Sequence, residues 1–309
     1  MAAKKRKTAA QKKRAAKIKR RIALWIFLLI ASFFIFMYVN AHFVHLEKIS
    51  VKIRDYPTFL AETKILFVTD LKLSDQRDAD RAIKLMKKLM KTEPDIVIFG
   101  GDFTHMRFTD AFKIQSEEGL QAVNSRLREA RRRFFVELKD VSPEIRKYTV
   151  AGDGDNEIPG FREDCESGNV KLIEDWVETL PLNGSEWIYL VGFGDYAKDG
   201  GSGFKFREIP AEDVALVVCH NPESYRAVAS VTDENGNAVA DLVLAGHTLG
   251  GQINLFGHSL MGSFDGVYES GIYNEAGPNM ILSGGIGTEW LPFRLGSRAE
   301  AMLITLERK

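Results

Sequence analysis

The chain has only two cysteines among its 309 residues, Cys165 and Cys219. Two thiols cannot build the disulfide framework that stabilises small secreted proteins, so a folded domain must depend on its hydrophobic core. Cys219 ends an apolar run, which predicts a small buried side chain. Internal repeats are also absent, and the only biased segment is the basic start of the chain, which argues against a repeat architecture.

Acidic residues are missing from the first 21 residues, which carry eleven lysines and arginines. Residues 22–309 contain the other 31 basic residues and all 42 acidic residues. This part of the chain therefore has a net charge of −11, although the whole chain is neutral. A basic run of this kind can bind nucleic acid or can orient a membrane segment.

Charged residues are missing again from the segment that follows, residues 22–39. Eighteen helical residues span roughly 27 Å, close to the thickness of the bilayer core. The segment ends without an Ala-x-Ala cleavage site, so we predict an uncleaved signal anchor in the cell membrane. The basic tail is then cytoplasmic, the later residues lie outside, and the tail contacts lipid rather than nucleic acid.

The remaining chain predicts an α/β domain over residues 63–309, joined to the anchor by a connector at 40–62 that is partly strand-like at 49–53. Helical apolar spacing indicates helices at 79–91 and 116–140, with Arg131–Arg133 on a solvated face. Asn183-Gly184 predicts a hairpin turn. Buried strands are predicted at 64–70, 95–102, 148–153, 214–220, 241–247, 279–283 and 301–306.

Five of these strands end at polar residues capable of binding metal. Because ligands bind at the carboxyl ends of strands in open α/β sheets, we expect the five side chains at one sheet edge. A mixture of imidazole and carboxylate indicates a divalent metal site. The five residues are Asp70, Asp102, Asp153, His220 and His247.

The motifs around these residues resemble those of the calcineurin-like metallophosphoesterases, in their membrane-anchored bacterial branch. The resemblance covers roughly residues 63–306 and implies two packed β-sheets flanked by helices. The motifs that carry it are Thr69-Asp70-Leu71, Gly101-Asp102, Val150-Ala151-Gly152, Cys219-His220-Asn221-Pro222, Gly246-His247 and the segment 284–294.

The resemblance implies that one of the family's two metal sites is lost here. That site normally uses the Asp and His of an Asp-x-His motif, the Asp of Gly-Asp, and the second His of Gly-His-x-His. Asp70 and Asp102 match, but Lys72 and Leu249 stand where the two histidines would be. We expect the Lys72 ammonium to replace the missing ion electrostatically.

The ligand set of the other site is complete by the same resemblance, and it consists of Asp102, Asp153, His220 and His247. The family's Gly-Asn-His-Asp motif reads Gly152-Asp153-Gly154-Asp155 here, so its leaving-group histidine is absent. An alternative register would place Asp155 rather than Asp153 at the third motif, and the sequence leaves both open.

These features predict a protein with one divalent ion (Mn, Fe or Zn), in which Lys72 and His247 serve catalysis. The function that they favour is a phosphoesterase of low or specialised activity on a phosphorylated envelope or lipid-linked substrate. The alternative is an inactive pseudoenzyme that binds a ligand or a protein partner at the same sheet edge.

Overall fold

Two six-stranded sheets packed face to face form the centre of the molecule. The computed structural model describes residues 8–53, 56, 62–182, 185–194, 209–210, 213–255, 258–261, 268–275 and 277–308. The two sheets and their flanking helices are the α/β double-sheet arrangement that the sequence predicts.

The first sheet has the strand order β1-β14-β2-β3-β4-β5. Strands β2 to β5 run parallel, whereas β14 is antiparallel to β2 and parallel to β1. The strands span His45–Ile53 (β1), Thr63–Val68 (β2), Ile96–Phe99 (β3), Arg146–Thr149 (β4), Val170–Leu172 (β5) and Glu300–Arg308 (β14).

The second sheet has the order β12-β13-β9-β8-β7-β6, with β7, β8, β9 and β13 parallel. Strands β6 and β7 form the predicted hairpin, in which Leu182 pairs with Ser185. The turn residues 183–184 lie outside the described residues. The strands span Trp176–Leu182 (β6), Ser185–Gly192 (β7), Val214–Val218 (β8), Leu242–Ala245 (β9), Gly271–Tyr273 (β12) and Asn279–Leu282 (β13). A separate ribbon pairs Ile253–Leu255 (β10) with His258–Met261 (β11).

Alternation along the strands divides the core into three layers. On β2, Ile65 and Phe67 point between the sheets, and Leu66 and Val68 point to the outer helices. This two-residue period buries both faces of each sheet, which explains the continuous apolar runs in the sequence. Helices α2 (Gln76–Leu89), α3 (Glu117–Leu138) and α5 (Phe161–Ser167) cover the first sheet, and α6 (Ser224–Ala229) covers the second.

Helices α2 and α3 confirm the two helices predicted in the domain. The Asp75 side chain caps α2 by accepting two backbone N–H groups, and Ser116 caps α3. A 3-10 turn, Met90–Thr92, ends α2 just before the proline at position 94.

The prediction of a solvated Arg131–Arg133 face is wrong at its first residue. Arg131 is fully buried, donates to the Asp164 carboxylate at 2.9 Å and also donates to three backbone carbonyls. The position belongs to the inward stripe of α3 that includes Phe134. Its charge is tolerated there because the separate helix α5 supplies Asp164, a partner that the local sequence pattern could not reveal.

A 34-residue helix, α1 (Ala9–His42), precedes the sheets, and its most apolar 18-residue window is only 6% buried. It is the one helix in the described part of the chain that is long and apolar enough to cross a membrane. It extends beyond the predicted 22–39 segment because the basic residues before that segment continue the helix. Strand β1 begins at His45, so the strand-like stretch at 49–53 belongs to an edge strand of the first sheet.

Candidate metal centre

The carboxyl ends of strands from both sheets meet at one place, and all five predicted residues follow those strands, four of them in loops and Asp153 at the start of a short helix. The sequence predicted a single sheet edge, whereas the structure divides the set between two sheets. Two hydrogen bonds join the halves: His220 Nδ1 contacts the Gly100 carbonyl at 2.7 Å, and the His247 N–H donates to Asp70 Oδ2 at 2.9 Å. The packing of the sheets therefore assembles the site.

Left-handed backbone conformations are concentrated in these loops. Six non-glycine residues there have positive φ angles: Asp70 (55°), Lys72 (50°), Asp102 (57°), His247 (77°), Leu249 (53°) and Gln252 (36°). Each such residue costs on the order of 1–3 kcal/mol, which the surrounding structure must offset. The sharp turns aim the side chains away from the sheets and toward one another, an arrangement typical of a functional site.

Three contacts of equal length connect four of the predicted ligands. His220 Nε2 lies 3.2 Å from Asp102 Oδ2, and His247 Nδ1 lies 3.2 Å both from His220 Nε2 and from Asp153 Oδ2. Atoms that share one ion at about 2.0–2.2 Å stand roughly 3–3.5 Å apart. Asp102, His220 and His247 offer ligand atoms that all lie within 4.8 Å of one another, so these three fit a divalent ion, whereas Asp153 reaches the group through its contact with His247. The Gly100 carbonyl holds the His220 ring with Nε2 directed into the cluster.

The charges in the cluster favour replacement of a histidine proton by a metal cation. Burial opposes protonation of His220, but the Asp102 carboxylate raises its pKa to about 10. Burial and the nearby His220 charge lower the pKa of His247. Burial opposes ionisation of Asp102, yet Lys72 and His220 hold its pKa well below the usual range. Asp102 is thus a carboxylate, and the two facing imidazoles carry one positive charge between them.

Lys72 lies beside this cluster within a cage of three carboxylates. Its Nζ donates a short hydrogen bond to Asp102, donates to Glu289 Oε1 at 3.0 Å, and lies 3.8 Å from Asp70 Oδ1. Burial disfavours the charge, but Asp102, Glu289 and Asp70 together raise the pKa of Lys72 above its ordinary value. Lys72 is therefore a permanent cation at the position where the family resemblance implies an ion.

Asp70 faces Lys72 rather than the histidine cluster. Its Oδ2 accepts hydrogen bonds from Thr69 Oγ1 at 2.8 Å and from the His247 backbone. Its Oδ1 is buried and has no hydrogen-bond partner among the described residues. A buried carboxylate oxygen left in this way is costly unless a cation compensates it, and the Lys72 ammonium is the cation beside it.

The two aspartates of the third motif have separate positions. Asp155 is buried, and its carboxylate accepts the N–H groups of Asp102, Phe103 and Gly152. Burial and the Asp102 charge raise its pKa to about 7. Asp153 begins the short helix α4 (Asp153–Glu157), and its half-exposed side chain reaches His247. The structure thus places Asp153 at the cluster and uses Asp155 to order the loop.

One of the positions without a histidine, Gly154, is closed to one in this structure. The Gly154 N–H donates to Asp102 Oδ1 at 2.8 Å, and a Cβ atom added there would lie 2.7 Å from the Thr104 carbonyl oxygen. An imidazole at Gly154 would require the surrounding loop to move. Leu249 is fully buried.

Two residues that the sequence analysis did not single out support the site. Glu289 supplies the third carboxylate around Lys72. Arg294 is fully buried and donates to the carbonyls of five residues, namely Leu249, Gly284, Gly285, Gly287 and Arg298. Both lie in the 284–294 segment. The feature of the sequence that could have identified them is the presence of charged residues in an otherwise apolar, glycine-rich stretch.

Comparison with known proteins agrees with this geometry. The chain is 24% identical over 275 residues to an uncharacterized metallophosphoesterase of Helicobacter pylori J99, covering 82% of this chain and 64% of that protein. It is 23% identical over 277 residues to the uncharacterized metallophosphoesterase YkuE of Bacillus subtilis, covering 87% and 88%. A 103-residue stretch is 35% identical to the uncharacterized B. subtilis protein YpbG, covering 32% and 34%.

The chain thus spans less than two thirds of the H. pylori protein and of YpbG. The family model for calcineurin-like phosphoesterases matches residues 63–251, which hold all five predicted ligands and more than half of the chain. This match, together with two sheets that assemble the carboxylates and imidazoles at their shared edge, shows that the chain belongs to the calcineurin-like phosphoesterase family.

Proposed function

We propose that this chain is a membrane-anchored phosphoesterase that uses one divalent ion, Mn, Fe or Zn. The observation that carries the proposal is the set of 3.2 Å contacts among Asp102, Asp153, His220 and His247, the residues that would hold the ion. A bound ion would supply a Lewis acid for a phosphoryl oxygen and for water. His247, partly exposed at the open side of the cluster, would face the substrate.

Lys72 would take over the electrostatic part of the second ion. Its ammonium lies between Asp70 and Asp102, the two carboxylates that the resemblance assigns to that ion. A fixed cation in a buried site stabilises charge that develops on a transferring phosphoryl group. Because its pKa is raised, Lys72 stays protonated at neutral pH and cannot serve as a general base.

Hydrolysis by such a site is expected to be slow. Gly154 stands where the resemblance implies a histidine that protonates the leaving group. Absence of general acid catalysis typically costs roughly 10²–10⁴-fold in rate. Substrates with good leaving groups should therefore react much faster than alkyl phosphates.

The proposed location follows from the first helix. Charge asymmetry would hold its basic start in the cytoplasm and place the metal centre outside the cell membrane. There the substrate would be a phosphorylated component of the envelope. The helix enters β1 within three residues, which would keep the site close to the membrane surface.

The alternative is a pseudoenzyme that binds a ligand or protein partner without turnover. The observation that favours it is the Lys72 cage, because three carboxylates already satisfy this ammonium without any ion or substrate.

Metal stoichiometry of the purified full-length chain tests both. Elemental analysis after exposure to Mn²⁺, Fe²⁺ and Zn²⁺ should give one ion per chain, lost in His247→Ala and retained in the control His45→Ala. Hydrolysis of bis(p-nitrophenyl) phosphate should follow the ion. Two ions would contradict the role of Lys72, an ion without hydrolysis would favour the pseudoenzyme, and no ion would end the proposal.

A further inference from the structure

A large cavity lies beside the end of helix α1, where this helix packs against the domain. Its volume is about 710 Å³, within the range of about 300–1,000 Å³ that is common for small-molecule sites. Tyr38, Ala41 and His42 from the last turns of α1 line it on one side. Most of the rest of the lining comes from one face of α2 along its length, the loops at 71–74 and 105–109, and the 286–292 segment. The cavity thus begins where the apolar helix ends.

The position of the helix against the domain is fixed by specific contacts. The Arg294 N–H donates to the Met37 carbonyl at 3.1 Å, Asn40 Nδ2 donates to the Ser297 carbonyl at 2.8 Å, and the rings of Phe34 and Phe293 meet edge to face. Met37 and Ala41 are buried by this docking. The cavity wall is therefore a built part of the fold.

The lining combines apolar surface with cations. Ala82 and Leu85 of α2 contribute apolar lining, as do Leu291 and Pro292. The charged lining residues are four cations and one carboxylate: Lys72, Arg81, Lys88, Arg107 and Asp78. Arg81 pairs with Asp78, and Arg107 pairs with both Asp75 and Asp78. Three carboxylates surround Lys72, so Lys88 is the lining cation left without an ion pair among the described residues. This chemistry fits a molecule with an apolar chain and an anionic group.

The cavity is lined both by the end of the membrane helix and by the loop that carries Lys72. The Lys72 ammonium contacts Asp102 of the histidine cluster, whose own residues do not line the cavity. Around the outer rim, Phe108, Trp290 and Leu291 are 52%, 50% and 40% exposed. Exposed aromatic side chains next to an apolar helix are typical of the membrane–water interface.

We propose that this cavity binds the acyl chain of a lipid phosphoester. The inference rests on the proposed function for its substrate and on the cavity for its ligand class. A lipid enters from the bilayer beside α1, its chain lies between α2 and the 286–292 segment, and its anionic group lies on the polar part of the lining.

Binding is tested without turnover on the full-length chain in phosphatidylcholine nanodiscs. The probe is a long-chain alkylphosphonate with a diazirine in its chain, which a phosphoesterase cannot hydrolyse. Photolabelling should reach peptides of α2 and residues 286–292, and excess hexadecylphosphonate should suppress it where methylphosphonate does not. Labels confined to residues 22–36, the pattern of bulk lipid, would overturn the proposal.

Matched variants separate the cavity from general surface effects. Leu291→Asp and Leu85→Asp should reduce competable labelling at least tenfold. Leu120→Asp is the control, because Leu120 is as exposed as Leu291 but lies on α3 and does not line the cavity. Trp290→Ala should act like Leu291→Asp, and Trp176→Ala, a tryptophan of similar exposure on β6, should have no effect.

Failure of this inference is distinguishable from failure of the proposed function. Competable labelling of the cavity together with no hydrolysis of any phosphoester would retain the lipid site and remove the enzyme. Hydrolysis of soluble and long-chain esters with equal KM, unaffected by Leu291→Asp, would retain the enzyme and remove the lipid site.

Discussion

At the scale of single residues, Lys72 is the side chain on which the charge balance of the centre depends. It compensates Asp70, Asp102 and Glu289 in a region from which water is largely excluded. A buried charge that loses its partner typically destabilises a protein by about 3–5 kcal/mol. The three carboxylates would then need either a proton or another cation.

Replacement of Lys72 by methionine should therefore lower the melting temperature of the metal-free protein and create a demand for a second cation. We expect added Mn²⁺ to restore stability in Lys72→Met and to raise the metal content above one ion per chain. Lys147→Met is the control, because Lys147 is also buried but donates only to backbone carbonyls. A Lys72→Met protein indifferent to Mn²⁺ would contradict the charge-replacing role.

Metal affinity should depend on pH through His220. In the metal-free protein its pKa is raised to about 10, so an ion must displace its proton at neutral pH. The apparent affinity should then rise about tenfold per pH unit between pH 7 and pH 8 and level off above the raised pKa. Titration with Zn²⁺ in buffers of equal ionic strength measures this slope, and an affinity independent of pH would count against His220 as a ligand.

In the absence of metal, His220 should also make the stability of the fold depend on pH. A group whose folded pKa lies above the unfolded value of about 6.5 stabilises the fold fully below that pH, and the contribution disappears as pH rises toward the folded pKa. Urea unfolding of the metal-free protein should show a loss of stability from pH 6.5 to pH 9. This loss should be absent in His220→Gln, which cannot take up the proton.

At the scale of elements, the join between α3 and α5 depends on one buried ion pair. Arg131 contacts Asp164 and the carbonyls of Asp155, Ile158 and Pro159, so it also supports the loop that carries Asp153. Burial raises the pKa of Asp164 in spite of this partner. The pair therefore fixes geometry at a net electrostatic cost that the surrounding packing offsets.

Arg131→Met should destabilise the protein by about 3–5 kcal/mol, because it leaves Asp164 and three carbonyls without their donor. Arg132→Met on the exposed face of the same helix should change the free energy of unfolding by less than about 0.5 kcal/mol. Urea denaturation of both variants gives the comparison. Equal effects would mean that the ion pair does not hold α5 in place.

At the scale of the whole molecule, helix α1 is a structural part of the domain as well as a candidate anchor. Its last turns donate and accept hydrogen bonds with the 293–297 segment, and that segment contains Arg294, which holds the loops around the metal centre. The position of the helix and the order of the site are thus coupled through one arginine.

Membrane integration should resist alkaline extraction in the native chain and fail when the middle of the helix is charged. The double substitution Leu28→Arg and Leu29→Arg costs about 5–7 kcal/mol of insertion free energy on the insertion scale, enough to move the protein to the soluble fraction. Ile272→Arg, an exposed apolar position on β12, is the control and should leave fractionation unchanged. Retention of the double variant in the membrane would contradict the anchor.

The sequence by itself predicted the buried strands, the two domain helices and the side chains that gather at the cluster. Continuous apolar runs can only be buried strands, and the polar residue that ends each run must emerge at a sheet edge, so the strands carrying His220 and His247 were predictable. The helical apolar spacing located α2 and α3 for the same reason. These signals are local, because each depends on residues that are neighbours along the chain.

Only the tertiary structure decided how these parts meet. Two sheets, rather than one, bring His247 to Asp153 and His220 to Asp102. Packing also buries Arg131, places Glu289 on Lys72, and turns Asp155 to backbone amides while Asp153 faces the cluster. Each of these contacts joins residues that are far apart in the sequence. The energy of such a contact depends on the burial and charge of its surroundings in the folded core, and a local sequence pattern carries no information about either.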